Sequence, residues 1–415
     1  MPFACPASVV VKHGEPFAEV GKMTSILDGV RVLDFGRWIA GPYAAHLLAS
    51  LGADVVRIER PGGEDDRFLM PVTEHGEGAQ FLQCNGGKRC LTLDMASPEG
   101  REVMRRLIAQ ADVVIANYSP SALKHFGLDY DTLQTIKSDI ILASASAFGT
   151  EGPMAERIGF DGVGQAVSGA IWLTGEPGKP YRAATAPIDF ATSLSLAYGT
   201  LAALIRKMKT GKGTEVKASL VGTSLNITNQ ILMEEASGFN HRVPTGNRSP
   251  MSGPSDIFRA QDGGWFIMQV IGQKVFRRWC KVIGRPELTE EPRFATDMLR
   301  GTNGVELSAI MQEWANTRPR ATCLEILGKA SIGCGPVLAP SDVIAGEMDL
   351  VNTFMRQVPF PGSNGLPIAP PPAHLSAGSV ELDRPPLLGE HTAEVLTDYG
   401  FTPDEIVRLT TAGTV

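Results

Sequence analysis

From residue 28 onward the chain alternates short apolar runs with stretches of helical spacing, and this alternation limits the fold more than any single motif. "VRVLDF" (30–35), "ADVVRIE" (53–59), "RCLTLDM" (89–95), "DVVIANY" (112–118) and "IILASAS" (140–146) read as strands, and "TEVKASL" (214–220) alternates like a further one. Between them, "GPYAAHLLASLG" (41–52) has helical spacing with Pro42 near its start and Gly52 as a stop. "SPEGREVMRRLIAQA" opens with Ser97 at the N-cap and Pro98 at the first helical position. Strands joined through helical crossovers imply a parallel sheet with helices on both faces. Ligands of such sheets bind beyond the carboxyl ends of the strands. The loops after Phe35, Glu59 and Asn117 are therefore the expected site.

Downstream the pattern changes. "GFNHRVPTGNRSPMSGPSD" (238–256) is rich in Gly, Pro, Ser and Asn, as a linker or binding loop would be, and "IFRAQDGGWFIMQV" reads as a hairpin around Asp262-Gly263-Gly264. Helical stretches follow near 273–283 and 303–316, "PFPGSNGLPIAPPPAHL" reads as extended along a surface, and "GEHTAEVLTDYGFTPDEIVRL" gives two short helices. The expected division is an N-terminal extension (1–26), the first part of a large domain (27–220), a linker (221–245), a smaller α+β domain (246–330) and a C-terminal part returning to the large domain (331–415). Met23 is an alternative start to Met1.

Composition removes several function classes. A net charge of −7 with no basic stripe argues against general nucleic-acid binding. Cysteines 5, 84, 90, 280, 323 and 334 lack CxxC spacing and read as reduced thiols, which fits a cytoplasmic protein. The seven histidines form no metal-like cluster, so no metal is expected. No uninterrupted apolar run reaches the roughly 18 residues of a membrane span, and no basic region precedes the short apolar stretch at the N-terminus. GxGxxG, a P-loop and GxSxG are absent, which gives little support to a nicotinamide oxidoreductase, an NTPase or a serine hydrolase.

The segment "TAPIDFATSLSLAYGTLAALI" (185–205) carries one carboxylate, Asp189, at the head of a helix that is otherwise apolar or small, and no further charge appears until Arg206. Taken alone, Asp189 is best read as a cap. "RIERPGGEDDR" places Arg60 just past a strand with glycines behind it, where a phosphate could be met, or as an ordinary charged turn. "NGGKRC" sets Lys88 and Arg89 after two glycines as either a second phosphate contact or a solvated strand start. Asn117 and Tyr118 end a strand with an amide and an aromatic, suited to a planar base or an amide, or to a plain turn into Ser119-Pro120.

Together these stretches, with "LDGVRVLDFGRWIAGPYAAHLLASLGADVVRIERPGG", "GFDGVGQAVSG", "KTGKGTEVKASL" and "PLLGEHTAEVL", resemble the CaiB/BaiF family, the class III CoA-transferases, from about Leu27 to Leu409. The resemblance implies a Rossmann-like large domain with a parallel sheet, a smaller α+β domain, and two chains interlocked as a homodimer. It makes Asp189 the nucleophile, so that one placement serves as both cap and chemistry. It assigns coenzyme A contacts to Arg60, Leu93, Asn117, Tyr118 and, at a position where the formyl-CoA branch is basic, His125. No permanently bound cofactor is implied; coenzyme A enters as acyl-CoA, and the other partner is a carboxylic acid.

Departures narrow the branch. Ile39 stands where formyl-CoA transferases carry a glutamine, and their polyglycine loop falls on a stretch with only Gly246 and Gly253. Both argue against formyl-CoA:oxalate specificity. The racemase branch has His-Asp where this chain has Phe160-Asp161, and His125 fits the second histidine's spacing poorly; Asp161 stays a candidate site residue. The function implied is transfer of CoA from an acyl-CoA donor to a carboxylic acid through an aspartyl anhydride and an aspartyl-CoA thioester. The alternatives are an acyl-CoA racemase or epimerase, and a non-catalytic CoA-thioester-binding protein.

Overall fold

The structure, a computed structural model, describes residues 25–415; residues 1–24 of the expected N-terminal extension lie outside the described residues. Strands β1 (Arg31–Asp34), β2 (Asp54–Glu59), β3 (Arg89–Thr92), β4 (Val113–Ala116), β5 (Ile141–Ser146) and β6 (Thr214–Ser219) form one parallel sheet of order β3-β2-β1-β4-β5-β6. Each falls within a run expected from sequence. The helices along this part are α1 (Ala40–Ala49), α2 (Ala79–Cys84), α3 (Pro98–Ile108), α4 (Pro120–Phe126), α5 (Tyr130–Ile136), α6 (Asp161–Val167), α7 (Ala170–Thr174), α8 (Pro187–Thr210) and α9 (Leu220–Ser237).

Alternate strand residues face opposite sides, and both sides are covered in the middle of the sheet, which is why β4 reads as a continuous apolar run. Val32, Val55, Val113, Ile141 and Ala143 meet Ala44, Leu48, Leu196 and Leu204 of α1 and α8 on one face. Leu33, Val56, Leu91, Val114 and Leu142 meet Val103, Leu107, Leu123 and Leu133 on the other. Local signals also hold. Ser97 accepts from Gly100 N at the start of α3 with Pro98 next to it, and Gly211 ends α8 in the left-handed conformation, φ 66°.

The far face is completed from the C-terminal region. Val395, Leu396, Tyr399 and Leu409 join the core there, from helices Thr392–Asp398 and Pro403–Thr411 and, for Tyr399, from the residue that ends the first of them. His391 N donates to Cys90 O (3.0 Å) and Asp94 N to Thr414 O (2.8 Å), so this region is stitched along edge strand β3.

A separate antiparallel sheet of β7 (Ser255–Arg259), β8 (Trp265–Gln269) and β9 (Gly333–Pro336) contains the expected hairpin and has its own core of Phe258, Phe266, Phe276, Trp279, Leu307 and Met311. Two expectations differ from what forms. The span 221–245, expected as linker, is helical through Ser237, because α9 continues from β6 with Ser219 accepting from Gly222 N as its cap. The Pro-rich stretch does not run on as a single extended segment: it turns back, so that strands β10 (Arg356–Val358) and β11 (Leu366–Ile368) pair antiparallel.

Among the described residues, only α8 has the length and mean hydropathy of a membrane span, 1.4 over eighteen residues. In this fold one face of it belongs to the core, where Leu196, Ala203 and Leu204 are buried against α1 and the sheet, while Leu194, Tyr198, Ile205 and Met208 are exposed.

Candidate active site

The strand order reverses between β1 and β4, both of which flank the same crevice at their carboxyl ends. That switch point is where open α/β sheets bind ligands. The loop from β1 into α1 crosses it, and a buried ionic network beneath the loop fixes its path. Lys88 Nζ donates to Asp34 Oδ2, Pro42 O and Asn85 Oδ1, each at 2.7 Å. Asp34 Oδ1 accepts from Gly36 N (2.8 Å), and Arg57 donates to Gly36 O (3.1 Å) and to Asp66 Oδ2 (2.9 Å). Burial alone would raise the Asp34 carboxyl; the Lys88 ammonium and Arg57 guanidinium outweigh it and hold the group below its ordinary value. Gly36 is required here, since a Cβ would stand 2.7 Å from both Asp34 Oδ1 and Pro42 Cδ.

The network delivers Trp38 in an uncommon conformation. Its φ is 62°, held because Asp66 Oδ2 accepts its N–H (3.0 Å). Asn117 clamps the preceding residue from the β4 side: Oδ1 accepts from Arg37 N (2.6 Å) and Nδ2 donates to Arg37 O (2.7 Å). Backbone strain of this kind persists only where surrounding contacts over-determine it.

Asp189 lies in the first turn of α8, after Pro187 and Ile188. The expectation that it caps its own helix is not met. The N-cap, Ala186, makes no side-chain bond, and the free N–H groups of Ile188 (2.6 Å) and Asp189 (3.1 Å) both donate to Asp161 Oδ2 from the start of α6. Asp161 is held in turn by Gln165, whose amide donates to Oδ1 and whose Oε1 accepts from Ala183 N (2.9 Å). Capping is thus done by a residue distant in sequence, and among the described residues no hydrogen bond reaches the Asp189 carboxylate. Burial, and then the Asp161 charge, push the Asp189 carboxyl up to about 7 from an ordinary 3.8.

Asp189 opens onto a cavity of about 190 Å³ whose walls include Trp38, Asn117, Ser146, Arg157, Phe160 and Leu220. Phe160 meets the Trp38 ring edge-on at 5.9 Å. A second cleft of about 420 Å³ is lined by Arg37, Trp38, Arg60, Leu93, Tyr118 and Phe126. Trp38 is a wall of both.

The residues singled out from sequence therefore divide. Asp189 and Asn117 line the first cavity; Arg60, Leu93 and Tyr118 line the second. His125 is exposed on α4, 5.0 Å from the Phe126 ring, and lines neither. Arg60 is 57% exposed and bonded within its own turn, to Gly63 O (2.7 Å) and Asp65 Oδ1 (2.5 Å). Leu93 is fully buried, and Asn117 spends both ends of its amide on the Arg37 backbone. Burial pushes the Tyr118 hydroxyl up to about 12. The phosphate reading of Lys88 and Arg89 fails: Lys88 is sealed in the ionic network, and Arg89 pairs with Asp54 (2.7 Å), Glu394 (2.9 Å) and Asp398 (2.6 Å). Trp38, Ser146 and Arg157 were not singled out from sequence. Among the described residues no three or more His, Cys, Asp or Glu side chains are grouped to hold a metal ion.

Comparison with known proteins gives the family. The model of CoA-transferase family III matches residues 27–392. Formyl-CoA:oxalate CoA-transferase of Streptomyces avermitilis is 32% identical over 406 residues, 93% of this chain and 98% of the relative. Succinyl-CoA:glutarate CoA-transferase of Homo sapiens is 31% identical, over 97% of this chain and 92% of the relative. The crystal structure of a CaiB/BaiF family protein from Brucella suis superposes with a TM-score of 0.77 at 34% identity, covering 91% of this chain and 100% of that one. A protein from Mycobacterium tuberculosis superposes with a TM-score of 0.78 at 30% identity, covering 89% and 99%.

Proposed function

The chain belongs to CoA-transferase family III and is a CoA-transferase, and on that premise we propose that Asp189 carries CoA between two acids. One observation carries the proposal: the Asp189 carboxylate is half-buried, free of hydrogen bonds among the described residues and raised to about 7. A carboxylate committed to a cap would be a weaker nucleophile, because attack would break those bonds.

In the proposed course an Asp189 oxygen adds to the thioester carbonyl of an acyl-CoA, and the carbonyl π pair moves onto oxygen. Collapse of that oxyanion expels CoA thiolate and leaves a mixed anhydride. The thiolate then adds to the Asp189 carbonyl and expels the donor as its carboxylate, giving an aspartyl-CoA thioester. An acceptor carboxylate runs the steps backwards, ending with a new acyl-CoA and free Asp189. Covalent catalysis divides one difficult exchange into easier ones.

Arg60, Leu93 and Tyr118 line the cleft we assign to the nucleotide end of CoA, with the thiol end reaching Asp189 past Trp38. Asn117 acts through the Arg37 backbone, and His125 is left at the periphery. The two named relatives act on oxalate and glutarate, which supports a carboxylic acid acceptor here. Arg157, exposed and without an ion pair among the described residues, adds a cation to the wall of the cavity such an acid must enter. Ile39 in place of the formyl-CoA branch's glutamine still argues against oxalate itself.

Racemisation has less support. Both Asp161 oxygens are engaged, by the α8 amides and by Gln165, which leaves that carboxylate poorly placed to take an α-proton. A homodimer is supported by α9, which buries only Leu220, Ser224 and Thr228 and exposes Ile227 and Met233.

The test is incubation with a panel of acyl-CoAs and free carboxylates, followed by mass spectrometry of the Asp189 peptide. A CoA adduct sensitive to hydroxylamine is expected. Turnover without any adduct on that peptide would sink the assignment.

A further inference from the structure

We infer that the Ser146 hydroxyl donates a hydrogen bond to the reacting carbonyl oxygen in the Asp189 cavity. The inference rests on the reading of Asp189 as nucleophile.

Ser146 is the last residue of β5, at the carboxyl end of the sheet, and lines the Asp189 cavity. Its Oγ is buried and has no hydrogen-bond partner among the described residues. Buried hydroxyls are nearly always bonded, so one left unmet in a residue that lines the cavity is explained by a partner that arrives with the ligand. Ser144 Oγ is likewise unpartnered, but Ser144 is enclosed at 1% exposure and does not line the cavity.

The other polar side chains of the wall are otherwise engaged or less enclosed. Asn117 uses Oδ1 and Nδ2 on the Arg37 backbone. Ser119 Oγ accepts from Ala122 N (3.3 Å) as the cap of α4 and lies 3.0 Å from Ser121 Oγ. Arg157 is exposed, and Trp38 is partly so. Ser146 alone among the lining residues combines an enclosed donor with an unmet bond.

The chemistry asks for such a group. Each addition, whether by the Asp189 carboxylate, the thiolate or the acceptor, places a negative charge on a former carbonyl oxygen. A donor already in position strengthens as that charge develops and gives nothing comparable to CoA alone, which has no carbonyl at that end. The hydroxyl keeps its proton throughout, so the step needs no further reactant.

The test uses the full chain and whichever acyl-CoA and acid pair wild type turns over, from a panel including succinyl-CoA with glutarate and formyl-CoA with oxalate. Ser146→Ala should lower kcat about ten- to a hundredfold, somewhat below the loss for a strong oxyanion donor, with KM for the acyl-CoA raised by no more than about fivefold. Ser146→Thr should restore most of the rate. Thermal unfolding of Ser146→Ala should be no lower than wild type, since deleting an unmet hydroxyl strands no partner. Binding gives a readout independent of turnover: acetonyl-CoA, a thioether that keeps the carbonyl, should lose about fivefold affinity in Ser146→Ala while CoA itself is unchanged. An unchanged kcat in Ser146→Ala, or equal losses for acetonyl-CoA and CoA, overturns the inference. Asp189→Asn separates the two ideas. If it is inactive while Ser146→Ala is fully active, only the Ser146 assignment fails. If Asp189→Asn turns over normally, the nucleophile reading fails and takes this inference with it.

Discussion

Asp161 caps the helix on which Asp189 sits: its Oδ2 accepts the backbone N–H of Asp189 at 3.1 Å, and that of Ile188 at 2.6 Å. The two acids share a site but divide the work, and the capping charge also keeps its neighbour's proton affinity high. Asp161→Asn should keep an oxygen for the two α8 amides while removing the like charge, at the cost of the Gln165 bond, because its NH2 would face the Gln165 amide nitrogen. The acidic limb of the pH–rate profile, expected near pH 7 in wild type, should move to lower pH. A limb that stays in place would refute the coupling. Asp161→Ala should lose roughly 1 kcal/mol of stability in urea unfolding as well.

Asp189→Asn should abolish transfer and yet stabilise the protein above neutral pH. The folded carboxyl titrates near 7 against an ordinary 3.8. Its contribution to stability is therefore fully present below about pH 4 and is lost as pH rises through 7. The gain of the Asn variant over wild type should be near zero at pH 4, grow to pH 7 and then level off, at about 4 kcal/mol at most. Urea unfolding at several pH values measures this; a gain that does not depend on pH would contradict the raised titration.

Arg60 is already paired with Asp65 and Gly63 O, so a CoA phosphate must compete for it. Arg60→Ala should weaken CoA binding by about three- to tenfold, and Asp65→Asn should tighten it by a smaller factor. Calorimetric titration of both variants is the check. Unchanged affinity in Arg60→Ala would remove this residue from the cleft's function.

The exposed apolar side of α9 should be covered by a second copy. Sedimentation at low micromolar concentration should show dimer without monomer, and Met233→Glu, at a side chain 59% exposed here, should release monomer. A monomeric wild type, or a dimer indifferent to that charge, would count against this surface.

Much of the large sheet was legible because strands buried on both faces leave continuous apolar runs, as β4 does. Asp189 was legible as a single acid in an apolar helix. Its freedom from capping was not, since the cap comes from Asp161, with α6, α7 and a loop between them in sequence. Trp38 gave no signal, because its positive φ is imposed by Asp66 and by the ionic network under it. Lys88 misled for a related reason: a buried lysine and a solvated one are the same letter until Asp34 is placed beside it. Helix α9 was missed because only three of its eighteen residues are buried, too few to print an apolar stripe.

The stitching of residues 391–414 along β3 has a consequence for biosynthesis. Until those residues leave the ribosome, β3 is an open edge beside an apolar face that lacks Val395, Leu396, Tyr399 and Leu409. Contacts some 300 residues apart, such as Thr92 N to Thr392 Oγ1, cannot form while the intervening chain is being made. The nascent protein therefore spends most of its translation with a sticky strand exposed, the condition in which long-range topologies fold slowly and recruit chaperones.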